Sequence, residues 1–284
     1  MKNLVLYPLA LMLGTTLAIS APLSGGTDLS LTADAQNAAP KPAAAIGPIV
    51  WQLTGFLDNA NGATPVDDPS KYTIQLRPDG SASIRADCNQ GSAKYTVAGN
   101  SLEFGLATNT LVLCEPGSLS DRFLQELSFV RSFVIDQSEA TDQLVLSLMA
   151  DGGSLRFSPT LTGVAWEWEQ FEGGDGVVVA PDDPSQYSLQ FHEDGSLSGQ
   201  VDCNRGTGSY EVDGSSISIV LATTRMMCHE NSLDAEFGRY LAEASSFVIR
   251  DGKLALSLPV DSGITTFNPV SVEPGAEGTP DANG

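Results

Sequence analysis

The strongest constraint in this sequence is internal, because the same pattern occurs twice. Trp51 matches Trp166, Asp67-Asp68-Pro69-Ser70 matches Asp182-Asp183-Pro184-Ser185, and Tyr72 matches Tyr187. Asp79-Gly80-Ser81 matches Asp194-Gly195-Ser196, Asp87-Cys88-Asn89 matches Asp202-Cys203-Asn204, and Tyr95 matches Tyr210, all at one offset of 115. Leu106-Ala107-Thr108 aligns with Leu221-Ala222-Thr223 at the same offset. One residue is then lost, since Cys114 pairs with Cys228 and Phe133-Val134-Ile135 with Phe247-Val248-Ile249 at 114. A shortened loop brings the last landmarks, Leu144/Leu254 and Phe157/Phe267, to an offset of 110. A register this long indicates tandem duplication of a domain of about 105–110 residues, long enough to own a core and so unlike a solenoid repeat. The domains are expected at 49–160 and 164–270.

Each unit reads mainly as β. In the first, 50–57, 72–76, 81–86, 94–97, 101–106, 132–135, 144–149 and 154–157 are short alternating or β-branched runs. Turn formers separate them, among them Pro78-Asp79-Gly80, Ala98-Gly99-Asn100 and Asp151-Gly152-Gly153, with Glu193-Asp194-Gly195 and Asp213-Gly214 in the second copy. One segment breaks the pattern. In 118–130, Leu119, Phe123, Leu124, Leu127 and Val130 recur at helical spacing behind a Ser118-x-x-Asp121 start signal. Its partner, 232–244, places Leu233, Phe237, Tyr240, Leu241 and Ala244 on one face. The expected fold class is therefore α+β, mostly β. Each domain is a curled antiparallel sheet or partly open barrel of about eight strands, with one helix inserted after the fifth.

Composition fits packed domains and excludes some partners. Of 284 residues 42% are hydrophobic, enough for two cores, while the net charge of −21 argues against nucleic acid and anionic lipid surfaces. The excess is uneven, about −6 over 51–159 and about −12 over 166–269. At the N-terminus, Lys2 precedes an uncharged, Leu-rich stretch from Leu4 to Ile19 that Pro8 and Gly14 interrupt. This reads as a signal peptide within 1–35, cleaved after Ser20 or after Ala35, because the run is short of the ~20 residues that span a bilayer comfortably. The alternative is a retained membrane anchor. Without a nearby Cys, lipoprotein processing is excluded. Residues 36–48 form a Pro/Ala linker and 271–284 a polar, disordered tail. The chain is expected to be exported, periplasmic or extracellular, with no stable membrane span after signal cleavage.

The four cysteines fall two to a copy, so the economical pairing is Cys88–Cys114 and Cys203–Cys228. Buried free thiols and reactive thiols are the alternatives. Zinc needs close-spaced Cys/His sets, whereas His192 and His229 are the two histidines and no C-x-x-C occurs. No G-x-S-x-G elbow, phosphate-binding loop or H-E-x-x-H is present, and Gly195-Ser196-Leu197-Ser198-Gly199 reads as a hairpin entering a strand. The Asp67-Asp68 and Asp182-Asp183 pairs read as turns rather than calcium loops. Asn89 and Asn204 are expected to fix a backbone turn through side-chain hydrogen bonds rather than contact a ligand. Arg225 is expected to be a paired structural arginine inside its domain, and Trp51, Trp166 and Trp168 core or edge aromatics.

The segment Asp202-Cys203-Asn204-Arg205-Gly206-Thr207-Gly208-Ser209-Tyr210 and the later Thr224-Arg225-Met226-Met227-Cys228 resemble the GCN-x-x-x-G-x-Y and TRM-x-C signatures of the META domain, the family of the bacterial heat-shock protein HslJ. The resemblance covers 166–269 and, through the repeat, 51–159. Both copies depart from it with Asp87 and Asp202 where the family usually has Gly, and the first copy has no Arg matching Arg225. The resemblance implies a β-rich, partly barrel-like fold with one helix, similar to secretin-pilot proteins, and an envelope or stress-linked role without established catalysis. It marks Asn89, Tyr95, Asn204, Arg205, Gly206, Tyr210, Thr224 and Arg225 as structural or partner-contact residues. The expected function is a non-enzymatic envelope binding or support module without cofactor, metal or catalytic residues, whose partner is an envelope protein. The alternatives are a secreted protein-directed inhibitor or adaptor, or a carrier of a small apolar ligand.

Overall fold

The computed structural model describes residues 46–58, 62–260 and 262–270. The expected signal with its cleavage sites, most of the linker and the C-terminal tail lie outside them.

In the first domain the strands are β1 (Val50–Asp58), β2 (Gly62–Pro65), β3 (Tyr72–Leu76), β4 (Ser81–Ala86), β5 (Asn89–Ala98), β6 (Ser101–Phe104) and β7 (Thr108–Asn109). Helix α1 (Ser120–Ser128) follows, then β8 (Val130–Asp136), β9 (Gln143–Leu148) and β10 (Ser154–Thr160). The second repeats this with β11 (Ala165–Gly173), β12 (Val178–Val179), β13 (Tyr187–Phe191), β14 (Ser196–Val201), β15 (Asn204–Asp213), β16 (Ser216–Thr223), α2 (Asp234–Glu243), β17 (Ser246–Arg250), β18 (Lys253–Ser257) and β19 (Gly263–Val270). Alternation sets the facing of the strands, as in β4, where Ala82, Ile84 and Ala86 are buried and Ser81, Ser83 and Arg85 are not.

In each domain the first strand also pairs with the last. The ladder β1–β10 runs from Val50↔Thr160 to Leu57↔Ser154, and β11–β19 from Ala165↔Val270 to Gly173↔Gly263. The order β1-β3-β4-β5-β6-β8-β9-β10 thus returns on itself as an eight-stranded antiparallel barrel, and the second sheet follows the same circuit. The expected eight strands and one helix are present, five strands before the helix and three after it. The short strands β2, β7 and β12 are additional to the circuit.

Each circuit is thinnest where its helix is inserted. A single pair, Ser101↔Ser132, joins β6 to β8, and Ser216↔Ser246 joins β16 to β17. The helix turns aromatic side chains into the space the strands enclose. Phe123 of α1 meets Tyr72 edge-on at 5.8 Å and Phe157 of β10 at 6.2 Å. In the second domain Phe237 meets Tyr187, Trp168 and Phe267 in the same way. The three tryptophans are fully buried core residues. The helix start differs from its expected position. Leu119 is the N-cap, and Ser118 stands one residue earlier, where its hydroxyl accepts from the Ser120 N–H at 3.2 Å. The Leu119 N–H donates instead to the Tyr72 hydroxyl at 2.9 Å, and Leu233 to Tyr187 at 2.9 Å. The packed region also begins before residue 49. Ile46, at the end of the expected linker, is buried and its carbonyl accepts from the Trp51 indole, as the Leu161 carbonyl does from Trp166.

The two copies meet through the hairpin where their lengths differ. Domain 1 uses 137–142 to join β8 to β9, and the tight Asp251-Gly252 turn of domain 2 docks against this longer loop. The Asp142 N–H donates to the Ile249 carbonyl at 2.9 Å, the Asp251 N–H donates to Asp142 Oδ2 at 2.7 Å, and Gln137 Nε2 bridges Asp142 and Asp251. Asp142 is 1% exposed. Burial pushes its carboxyl above the usual range, reinforced by Asp251 and opposed by the Asp251 N–H, Gln137 and Arg250. A raised carboxyl favours the folded state at low pH, and this contribution is lost as pH rises through its value. An asparagine at this position would keep an acceptor for the Asp251 N–H and carry no charge. The melting temperature of Asp142→Asn relative to the parent should therefore rise between pH 4 and pH 7; a pH-independent difference would show that the buried charge costs nothing.

Candidate functional site

Most residues singled out by both sequence motifs gather at one end of each barrel, while Tyr95 and Tyr210 lie farther along their strands at the opposite turn. Between the fifth strand of each circuit and the helix the chain has little ladder of its own, and a buried asparagine takes over. Asn89 opens β5. Its Oδ1 accepts from the Val112 N–H at 2.8 Å and the Thr110 hydroxyl at 3.1 Å. Its Nδ2 donates to the Val112 carbonyl at 3.1 Å and the Ser120 hydroxyl at 3.2 Å, and touches Cys114 Sγ at 3.4 Å. Asn204 repeats the staple, with Oδ1 accepting from the Met226 N–H and Thr224 hydroxyl, each at 2.8 Å, and Nδ2 donating to the Met226 carbonyl at 3.2 Å. The disulfides Cys88–Cys114 and Cys203–Cys228, each with Cα atoms 5.5 Å apart, fasten the same segment. Among the described residues no free cysteine remains.

The staple turns backbone groups inward and leaves apolar side chains outside. Leu111, Val112 and Leu113 project from the first copy, and Met226 and Met227 from the second. Leu113 is 97% exposed and Met227 99%. Tyr95 and Tyr210 donate their hydroxyls to the Arg77 and His192 carbonyls at 2.7 and 2.8 Å, closing the preceding turns. Burial raises both phenols, with Asp79 or Asp194 adding to the effect. Those carboxyls lie below the usual range because they accept from Ser81 and Ser196. The Arg205 N–H donates to the Thr224 hydroxyl at 3.1 Å, while its side chain is exposed. A Cβ at Gly206 would lie 2.8 Å from Leu221 Cδ1, so a larger residue there would push that leucine aside.

Arg225 is not the paired interior arginine expected. Thr224 points inward to Asn204, so its neighbour Arg225 points out; it is exposed and has no ion pair among the described residues. Leu111 occupies its place in the first copy. Strand register also relocates the extra residue. Ser92↔Thr108 and Gly91↔Asn109 correspond to Thr207↔Ala222 and Gly206↔Thr223, so Thr108 is equivalent to Ala222 and the insertion falls at Leu106-Ala107. This one-residue bulge turns Leu106 out to 99% exposure, whereas Leu221 packs on the core. A half-open apolar cleft of about 560 Å³ lies beside the bulge, lined by Ile84, Ala93, Phe104, Leu124 and Leu127 and by Asn109, whose buried Oδ1 has no hydrogen-bond partner among the described residues.

The acidic pairs form turns. Asp68 and Asp183 cap short 3-10 turns, each accepting from the N–H and hydroxyl of the serine two residues on. Among the described residues no group of three or more His, Cys, Asp or Glu is placed to hold a metal ion. Sequence spacing did not reveal one contact, His192 Nε2 to Ser198 Oγ at 3.0 Å across the β13–β14 hairpin. It has the length of a nucleophile–base contact, yet among the described residues no carboxylate hydrogen-bonds to the imidazole to orient it. Alternation places both side chains on one face of a hairpin, and that was the available signal.

Replacing Asn89 or Asn204 with Ala leaves buried backbone and hydroxyl groups unpaired. Each should lower unfolding stability by about 2–4 kcal/mol in urea titrations; a loss below ~1 kcal/mol would show the loop is held by its disulfide alone.

The model of the META domain family matches twice, over residues 45–160 and 159–269. No curated protein matches. Among solved structures, an NMR structure of a protein from Burkholderia xenovorans is 23% identical, covers 42% of this chain and 88% of its own, and has a TM-score of 0.36. A crystal structure of a DUF4847 family protein from Bacteroides vulgatus is 16% identical, covers 40% of this chain and 96% of its own, and has a TM-score of 0.33. With both copies matched from end to end, the chain belongs to the META domain family and carries two such domains in tandem.

Proposed function

We propose that this chain is a non-enzymatic, exported binding module of the cell envelope, which grips a partner protein through its two stapled loops. One observation carries the reading. In both copies a motif asparagine and a disulfide hold a loop, and what the loop offers to solvent is mostly apolar: Leu111, Val112 and Leu113 in one, Met226 and Met227 beside the exposed Arg225 in the other. Large apolar side chains held out rigidly are costly to a chain that only has to stay soluble, and they suit a contact surface. Rigid display lowers the ordering cost of binding, and two linked copies raise avidity when both engage. The two disulfides are compatible with an oxidising, extracytoplasmic compartment. Among the described residues no helix is long and apolar enough to cross a membrane.

The carrier reading has one observation in its favour, the apolar cleft beside the Leu106 bulge with its unpartnered Asn109 oxygen. The barrel interiors do not favour it, since Trp51, Phe123 and Phe157 in one and Trp168, Phe237 and Phe267 in the other fill them.

In the intact host, in-cell cross-linking followed by affinity purification should recover an envelope protein with the parent chain. Leu111→Asp combined with Met227→Asp should reduce that recovery at least tenfold with melting temperature unchanged, because both side chains are already in water. Equal recovery with the double variant would overturn the loop-contact reading.

A further inference from the structure

The two copies act as controls for each other at a second place, the floor of the groove between the Asp-Pro-Ser turn and the helix start. In the first copy Asp87 stands there with φ 59° and in the second Asp202 with φ 52°, each the first residue of a two-residue turn whose second is the disulfide cysteine. The backbone is anchored identically. The Asp87 N–H donates to the Lys71 carbonyl and the Asp202 N–H to the Gln186 carbonyl, both at 2.7 Å. Lys71 and Gln186 therefore start from the same point beside the carboxylate, but they end differently. Lys71 Nζ lies 3.6 Å from Asp87 Oδ1, so the first copy supplies its own ammonium. Gln186 carries no charge, and its amide turns towards Asp183 Oδ2 at 3.5 Å.

Asp202 is 6% exposed, and its buried Oδ2 has no hydrogen-bond partner among the described residues. The nearest cationic candidate, His229 Nε2, lies 3.4 Å away on a side chain mostly in solvent and pairs electrostatically when protonated. Asp202 and His229 line an open pocket of about 330 Å³ together with Asp182, Asp183 and Tyr187. A buried carboxylate without a counter-charge is costly, and a polar pocket at its side lets a solute supply one. We infer that the second domain binds a primary ammonium group in this pocket, at the position that Lys71 fills from within in the first domain.

The ammonium belongs either to a free polyamine or to a lysine side chain on a protein; the carboxylate chemistry is the same, and the pocket is separate from the loop tips of the functional proposal. Amide NMR titration of the full chain distinguishes the sources, using methylammonium as the minimal probe, spermidine as the free polyamine and a blocked Gly-Lys-Gly peptide as the side chain. All three should shift the Asp202–Arg205 amides. A tighter spermidine response identifies a polyamine site, and a tighter peptide response a lysine site. Gln186→Lys, at an exposed position, transplants the internal ammonium. It should weaken each response at least tenfold and raise the melting temperature without any probe. Asp202→Asn keeps side-chain shape and tolerance of positive φ, and should weaken each response to the same degree. The proposal is overturned if the parent amides do not respond, or if Gln186→Lys responds as the parent does.

Discussion

Everything else in each domain depends on pairing of its first strand with its last. Without the β1–β10 and β11–β19 ladders, each sheet would end in two long free edges and splay open. Eight strands close around a space that side chains can just fill. Strand side chains alone do not fill it here. Phe123 and Phe237 arrive from a helix, and the helix has to enter between the fifth and sixth strands of the circuit. The ladder at that seam shrinks to one pair of serines as a result. The chain approaching the helix is left without a strand neighbour along most of its length. One asparagine and one tyrosine hydroxyl meet polar groups of this segment, and one disulfide ties it to the start of the fifth strand. The candidate site is thus a consequence of closing the barrel around a helix, and that explains why its most recognisable residues point inward.

Comparing copies separates what this construction requires from what it tolerates. The asparagine staple, the disulfide and the tyrosine at the helix start are the same in both. The loop tips are not. Leucines in one copy stand where arginine and methionine stand in the other, as expected of side chains the fold does not use. The Leu106 bulge is a larger departure, since it removes an apolar side chain from the wall and leaves a cleft that Leu221 helps to close in the second copy.

Much of this was legible in the residues. Alternation and turn formers gave eight strands in the correct order, because sheet facing follows directly from a period of two. The helix was legible because Phe123 and Leu127 break that period in the middle of a β pattern. The disulfide pairing followed from each repeat owning two cysteines. What stayed hidden depends on register. Leu106-Ala107-Thr108 and Leu221-Ala222-Thr223 look aligned, and only the cross-strand partners of Thr108 show that the extra residue comes before it. The facing of Arg225 is hidden for a related reason, since it is set by Thr224 turning inward and not by its apolar neighbours. The Asp142 contact lies between copies and was invisible to any reading of one domain at a time.

The uneven charge follows from the same comparison. Glu167, Glu169, Glu172, Glu211 and Asp213 in the second copy stand where the first has Gln52, Thr54, Leu57, Thr96 and Ala98, on strands with the same pairing. None of these acidic residues is buried; Glu169 pairs with Lys253 and accepts from the Thr266 hydroxyl, and the other four make no ion pair among the described residues. On the outer wall they repel one another weakly across water and deter adhesion to anionic surfaces. The stapled loop beside this wall is different, since its tip carries one arginine and two methionines that are exposed. Under the proposed loop contact, a surface that repels along its sides and is apolar at its tip restricts where a partner lands. In the first copy, with a milder wall and leucines at the tip, the same restriction is weaker.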